Sequence, residues 1–310
     1  MAADRTGAAA RPWWLVPTTL LLGLLLSTAA TATPVQPPLW KVSGKGQQVY
    51  LLGSFHLLRA GDERLADEVT AALGDVDEVV FELAPEDADS PALRVALLQA
   101  AQRRRGGTLE QDLGPALWGR LQDHARRTGL PLAQLSAFEP WFVSLTVSIA
   151  ELQRHRFDPA LGLDRQLMRA AAAAGHDTAG LERVEDQVAA LSGMDVPTQV
   201  QMLEQSLDQV EDGPGALEDM YAAWRTGDAA RLWEAMGAEM KREHPALYRR
   251  INVARNEAWL PRIEQRLRSG GGNVLVVVGA LHLLGEDGLV ERLRARGYTV
   301  RRVCRGCSAR

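Results

Sequence analysis

The chain has 310 residues, a formal charge of −4 and 46% hydrophobic residues, which suits a soluble protein with one sizeable core. Its basic residues do not interleave with aromatics, which argues against a nucleic-acid surface. Glycine and proline are nowhere dense enough for a long disordered linker, apart from a short stretch around Thr33 to Pro38.

At the start, Arg5 and Arg11 precede an uncharged apolar run, Trp13 to Leu26, and Ala30-Thr31-Ala32 follows with the small-residue pattern of a cleavage site. Residues 1–32 therefore read as a secretory signal peptide. A membrane anchor would need about 20 apolar residues, and this run is shorter and passes into Thr and Ala. No cysteine lies near the cleavage point to take a lipid. The expectation is an exported chain of residues 33–310, periplasmic or secreted, with no stable membrane anchor after cleavage.

Leu39 to Val42 and Val49 to Leu52 flank Ser43-Gly-Lys-Gly-Gln and read as a hairpin. The second arm continues as Val49-Tyr-Leu-Leu-Gly-Ser-Phe-His56. A distant segment, Val274-Leu-Val-Val-Val-Gly-Ala-Leu-His282, repeats the arrangement: a short apolar, β-branched run followed by Gly-x-x-His. Such runs suit strands buried on both faces, and glycine past the strand end permits a sharp turn. Asp62 reads as the cap of a helix carrying Leu65, Val69 and Leu73. The strand Asp77 to Leu83 follows and ends at Glu82, so strand, helix and strand read as a crossover unit whose two strands form a parallel pair.

Between about residues 91 and 268 the pattern becomes helical, rich in Ala, Leu, Gln and Arg. Pro131, Pro159, Pro197, Pro214 and Pro245 mark breaks, and there is no fixed-period repeat. Glu139-Pro140 and Gly162-Leu-Asp164 read as helix starts. Ala179-Gly-Leu-Glu182 reads as a short strand that brings a further carboxylate toward a sheet edge. Arg255 and Asn256 fall on a helix with Trp259 before Pro261, and a helix Arg262 to Leu267 ends at Gly270. After His282 come a helix with Leu289 and Leu293, ended by Gly297, and a last strand, Tyr298 to Val303. His124, His155, His176 and His244 lie in polar contexts and read as surface residues. Cys304 and Cys307 close the chain as Cys-Arg-Gly-Cys. A redox pair should open a helix, so a small structural disulfide suits an oxidising compartment better.

The expected fold is α/β: a central mixed β-sheet with flanking helices and a large helical insertion between the two Gly-x-x-His halves. The sheet halves are about 39–90 and 270–303, in one domain spanning 33–310, and the insertion is expected to lid the site. His56, Glu82 and His282, each at a strand end, suit a divalent metal.

Leu39-Trp-Lys-Val, Tyr50 to His56, Val80-Phe-Glu-Leu83, Glu139-Pro-Trp-Phe142, Gly162-Leu-Asp164, Gly180-Leu-Glu182, Arg255-Asn256 and Gly279 to Gly285 occur in this order. As an ordered set they resemble the TraB/PrgY/GumN family, whose relatives include the TIKI metalloproteases. The resemblance spans about residues 39–303. It implies a metal-dependent hydrolase of peptide or protein substrates, with manganese or cobalt preferred over zinc. It also implies site roles for Glu182, as general base or further ligand, and for Arg255 and Asn256, which would hold substrate or an oxyanion. The absence of His-Glu-x-x-His agrees with a site unlike the zincins. PrgY-type relatives imply a second reading, a protein that binds or sequesters peptide without cutting it. The wider superfamily, with erythromycin esterase and ChaN-like haem-binding proteins, implies a third, with an ester substrate or a haem ligand.

Overall fold

The computed structural model describes residues 34–44 and 46–304; the leader assigned to residues 1–32 and Cys307 lie outside them. Six strands form one mixed sheet: β1 (Leu39–Ser43), β2 (Gln48–Ser54), β3 (Glu78–Phe81), β4 (Asp177–Gly180), β5 (Val274–Gly279) and β6 (Thr299–Arg302), in the order β4-β3-β5-β2-β1-β6. β1 and β2 are the expected antiparallel hairpin, with Leu39 opposite Leu52 and Ser43 opposite Gln48. β4, β3, β5 and β2 run parallel, and β6 lies antiparallel to β1 at the far edge.

The order corrects the parallel pairing expected between β2 and β3. The two strands point the same way, but β5 sits between them and pairs with both. Its five residues Val274–Val278 are all buried, which is why the segment is an unbroken apolar run. The outer strands β4 and β6 have no buried residue, as edge strands permit.

The longer helices are α1 (Asp67–Gly74), α2 (Pro91–Ala101), α3 (Leu109–Thr128), α4 (Pro140–Arg154), α5 (Leu163–Ala174), α6 (Val184–Ser192), α7 (Val196–Glu211), α8 (Pro214–Arg225), α9 (Ala254–Ser269) and α10 (Leu289–Ala295). Each of the five flagged prolines stands at the start of a helical segment or caps one. The missing N–H costs nothing at such positions. α9 ends at Gly270, whose φ of 76° suits a residue without a Cβ. Among the described residues the buried hydrophobics form four clusters. One joins the sheet to α1, α5, α8 and α9. A second lies among α3, α4 and α7, around Leu109, Leu121, Val143 and Leu203. Two smaller ones hold Trp141 with Met240, Leu247 and Tyr248, and Leu83 with Leu93 and Val188. Among the described residues no helix is long and apolar enough to cross a membrane. Cys304 is disulfide-bonded.

Two polar assignments change. Asp62 caps no helix: α1 begins at Asp67 after Ala66. Asp62 is instead buried, accepting a hydrogen bond from the Tyr221 hydroxyl at 2.7 Å and pairing with Arg225 at 2.9 Å. It ties the loop after β2 to α8, so Asp62→Ala is expected to cost about 2–3 kcal/mol in urea unfolding. A loss below about 0.5 kcal/mol would count against that tie. His124 is not a surface residue but 1% exposed on α3, and burial lowers its pKa. Helical periodicity marks the apolar face of α3, and position 124 falls on that face one turn after Leu121.

Candidate functional site at the carboxyl ends of four parallel strands

The four parallel strands end side by side, and each delivers one side chain just beyond its last residue. β2 leads to His56, β3 to Glu82, β4 to Glu182 and β5 to His282. This is the edge at which open α/β sheets present their ligand sites. Backbone hydrogen bonds continue the register past the strands, with the Glu182 N–H donating to the Glu82 carbonyl at 2.9 Å. The two carboxylates are therefore fixed as neighbours.

The glycines of the two Gly-x-x-His motifs serve a different purpose from the one expected. Neither has a positive φ. A Cβ on Gly53 would meet Ala280 Cα and Cβ at 3.1 Å, so Gly53 lets the second motif's turn close on β2. A Cβ on Gly279 would lie 3.3 Å from Glu82 Oε1, 3.5 Å from His56 Nε2 and 3.7 Å from His282 Cδ2. Each glycine thus makes room for residues of another strand end.

α9 lies over this edge, entered through a π-helical turn at Arg249–Val253. Such turns are often found beside functional sites. Arg255, in its first turn, is the hub. Its Nη2 donates to Glu82 Oε2 at 2.5 Å and to Glu182 Oε1 at 2.6 Å, and its Nε donates to Glu182 Oε2 at 3.1 Å. Its Nη1 donates to His282 Nε2 at 3.1 Å. That contact settles the His282 tautomer, because a guanidinium has no acceptor. Nε2 carries the lone pair, and Nδ1–H donates to Asn256 Oδ1 at 2.8 Å. The Asn256 amide in turn donates to the carbonyls of His282 and Asp287. Asn256 is 0% exposed, so it positions His282 and does not reach a substrate. Trp259 carries Arg255 on its face, donates from Nε1 to Glu182 Oε2 at 3.1 Å and lies against the His282 ring.

Burial and the Arg255 charge push His282 down to about 3, so it is neutral. Its 4.0 Å approach to Glu82 is accordingly not an ion pair. For Glu82, burial favours the neutral acid, but Arg255, the histidines and the Gly279 N–H outweigh it and hold the carboxyl well below its usual range. For Glu182 burial wins over the bonds from Arg255, aided by the negative charge of Glu82, and the pKa is raised. His56 is different: its side chain is 56% exposed, and its Nδ1 lies 3.2 Å from Asp164 Oδ1. The surrounding protein disfavours charge on the ring, but Asp164 and then Glu82 outweigh it and push the pKa up to about 9.

All six expected residues therefore meet at this sheet edge: His56 and Glu82 line one cavity, Glu182 and Arg255 line another, and the buried His282 bonds Arg255 on one side and Asn256 on the other. Asp164, Trp259, Gln187 and Ser54 complete the surroundings. The sequence marks Asp164 as part of a helix start and of the family's ordered segments, but not as a partner of His56. Gln187, on α6, donates to Glu182 at 3.3 Å. Glu139 and Trp141 are not at the site: Glu139 pairs with Arg103 and Arg105, and Trp141 is a core residue.

A model of the TraB/PrgY/gumN family matches residues 38–302. The chain belongs to this family. Within it, the chain is similar to "Uncharacterized protein YbaP" of Escherichia coli K12, 24% identical over 259 residues covering 79% of this chain and 87% of the relative. The Shigella flexneri protein of that name matches to the same extent. No solved structure matches the chain. The family match begins just before β1 and ends at the last residue of β6, so it takes in all four strand ends and Arg255.

A divalent cation is the group this family resemblance implies, and the donor chemistry fits one. Two imidazoles and a carboxylate are suitable ligands, and they converge on the space left by the missing Cβ of Gly279. As they stand, no three His, Cys, Asp or Glu side chains among the described residues are close enough to hold an ion. His282 Nε2 and Glu82 Oε1 are 4.0 Å apart, against about 3.3 Å for ligands of one tetrahedral ion. The Arg255 guanidinium bonds both residues, so taking up a cation requires it to withdraw from His282.

Proposed function

We propose that the protein is an exported, metal-dependent hydrolase that cuts peptide bonds. The observation that carries this reading is the convergence of His56 Nε2, Glu82 Oε1 and the neutral His282 around Gly279. His56, Glu82 and His282 would hold the cation, manganese or cobalt in preference to zinc. The bound ion would supply a lowered water pKa and a polarised carbonyl. Glu182, which burial makes a stronger base than a free carboxylate, takes a proton from the water as its oxygen bonds to the carbonyl carbon. It then returns that proton to the leaving amine as the C–N bond breaks. Arg255 turns toward the substrate oxygen and stabilises its negative charge, while Asn256 holds His282 in the tautomer that leaves Nε2 free. Export rests on the leader pattern of residues 1–32.

One observation favours a second reading, a peptide-binding protein without catalysis: Arg255 already supplies a positive charge between Glu82 and Glu182. Elemental mass spectrometry of protein beginning at Thr33, with peptide cleavage followed by mass spectrometry, separates the two. Near-stoichiometric metal that is lost in both His56→Ala and His282→Ala, together with new peptide termini in the wild type only, is the expected result. A wild type that takes up none of the ions offered and retains peptides intact would replace the hydrolase with the binding protein.

A further inference from the structure

Beside His56 the sheet edge opens into a cavity of about 270 Å³. Its walls are Phe81, Leu83 and Val277 from strand ends, Leu93 from α2 and Met168 from α5, and its lining continues into His56 and Glu82. The volume falls under the range of about 300–1,000 Å³ typical of small-molecule sites, so it suits one side chain of a larger ligand. At the rim, Arg165 of α5 pairs with Asp89 at 2.5 Å. An apolar floor and a charged rim suit an aliphatic group whose attached backbone enters at the His56 and Ser54 side of the cavity.

Ser54 supplies a second, independent observation. It is the last residue of β2, it lines this cavity, and it is 2% exposed. Its hydroxyl has no hydrogen-bond partner in the protein. A buried hydroxyl left unpaired is costly, and a serine two residues before His56 is not needed by the strand, where alanine or valine would serve. A ligand carbonyl or amide entering beside His56 would satisfy it.

We infer that this cavity is the side-chain subsite of the peptide: it takes one unbranched or γ-branched aliphatic residue, leucine or methionine, next to the site, and Ser54 hydrogen-bonds the peptide backbone there. The inference rests on the peptide reading above, but not on catalysis, since a subsite serves binding and cleavage alike. It also accounts for the placing of α2 and α5, whose Leu93 and Met168 close the cavity from the helical insertion.

The test is equilibrium binding of fluorescein-labelled Ser/Ala/Gly heptapeptides in which one position at a time carries Gly, Ala, Leu, Met, Phe or Lys, read by anisotropy. At one position Leu and Met are expected to bind about 10- to 100-fold more tightly than Gly, the range that burying one aliphatic side chain provides. Met168→Trp, which fills the cavity, is expected to remove that preference while leaving the Gly and Ala peptides unchanged. Ala88→Phe, which fills it from another lining residue at a half-buried position, gives the same readout if Met168→Trp fails to fold. Ser54→Ala is expected to leave Tm unchanged or raised and to weaken every peptide about 5-fold or more, since its contact is with backbone. Absence of any Leu or Met preference, or a preference that survives both filling variants, overturns the subsite. Affinity unchanged in Ser54→Ala overturns the role of its hydroxyl. Peptides bound with this preference yet left uncut support the subsite while removing the hydrolase reading, so the two failures are distinct.

Discussion

Arg255→Met is expected to destabilise the metal-free protein by about 3–5 kcal/mol in urea unfolding, the scale for removing one partner of a buried ion pair. The side chain is 16% exposed and the carboxylates it serves are 12% and 6% exposed. Without it, Glu82 keeps only the His56 charge and the Gly279 N–H, Glu182 keeps only the neutral donors Trp259 and Gln187, and the lone pair of His282 Nε2 loses its donor. Methionine keeps some contact with Trp259 but donates nothing. Arg255→Lys is expected to fall in between, because one ammonium cannot span two carboxylates and a ring nitrogen as a guanidinium fork does. Glu182→Gln in the Arg255→Met background should recover part of the loss, and the double-mutant cycle isolates the pair. A loss below about 1 kcal/mol in Arg255→Met would mean that the carboxylates are compensated by something other than the guanidinium. Repeating the measurement with manganese or cobalt makes the comparison informative for function. A cation held by Glu82 would offset the missing charge, so added metal should restore stability to Arg255→Met and protect it more than the wild type.

The reasons some of this was legible in the sequence, and some was not, are physical. β5 announces itself because a strand covered on both faces must be apolar throughout, and the hairpin because its arms are joined by a short glycine-rich turn. The ends of β2, β3 and β5 could be located for the same reason, whereas β4, an edge strand with no buried residue, is marked only by the short run Ala179-Gly-Leu-Glu182 that ends in a carboxylate. Which strands are neighbours is a separate matter. β5 inserts between β2 and β3 after a helical insertion of well over a hundred residues, and no local pattern records that pairing. Arg255 could be placed on a helix, but its position as hub depends on the angle at which α9 crosses the sheet, which the π-turn at Arg249–Val253 helps to set. Asp164 looked like a helix start because it is one; that its carboxylate also meets His56 depends on α5 packing beside the end of β2. Asp62 misled for a related reason. A carboxylate shortly before a helix usually caps it, but here burial against Tyr221 and Arg225 gave it a stronger tertiary role than the local one.

Gly279→Ala and Gly53→Ala should separate the site from the scaffold that carries it, since the two glycines occupy equivalent positions in the two Gly-x-x-His motifs. At Gly53 the added methyl meets main chain, Ala280 Cα at 3.1 Å, so the two motif turns must move apart. The expected cost is about 1–3 kcal/mol, the usual range for overpacking, seen as a lower urea midpoint. At Gly279 the methyl points at side-chain ends, with Glu82 Oε1 at 3.3 Å and His56 Nε2 at 3.5 Å. His56 is more than half exposed and can swing away, so Gly279→Ala should change stability by less than about 1 kcal/mol. Its effect falls on the space the ligands share: a methyl there excludes a cation and displaces His56 by a few tenths of an ångström or more. Misplacement of that order can cost about 10²-fold in rate, so peptide hydrolysis should fall at least that far and metal content should drop with it. If Gly279→Ala kept full metal and full turnover, the space in front of Gly279 could not be where the chemistry occurs. If instead it unfolded as readily as Gly53→Ala, the glycine would be there for the fold and not for the space its neighbours share.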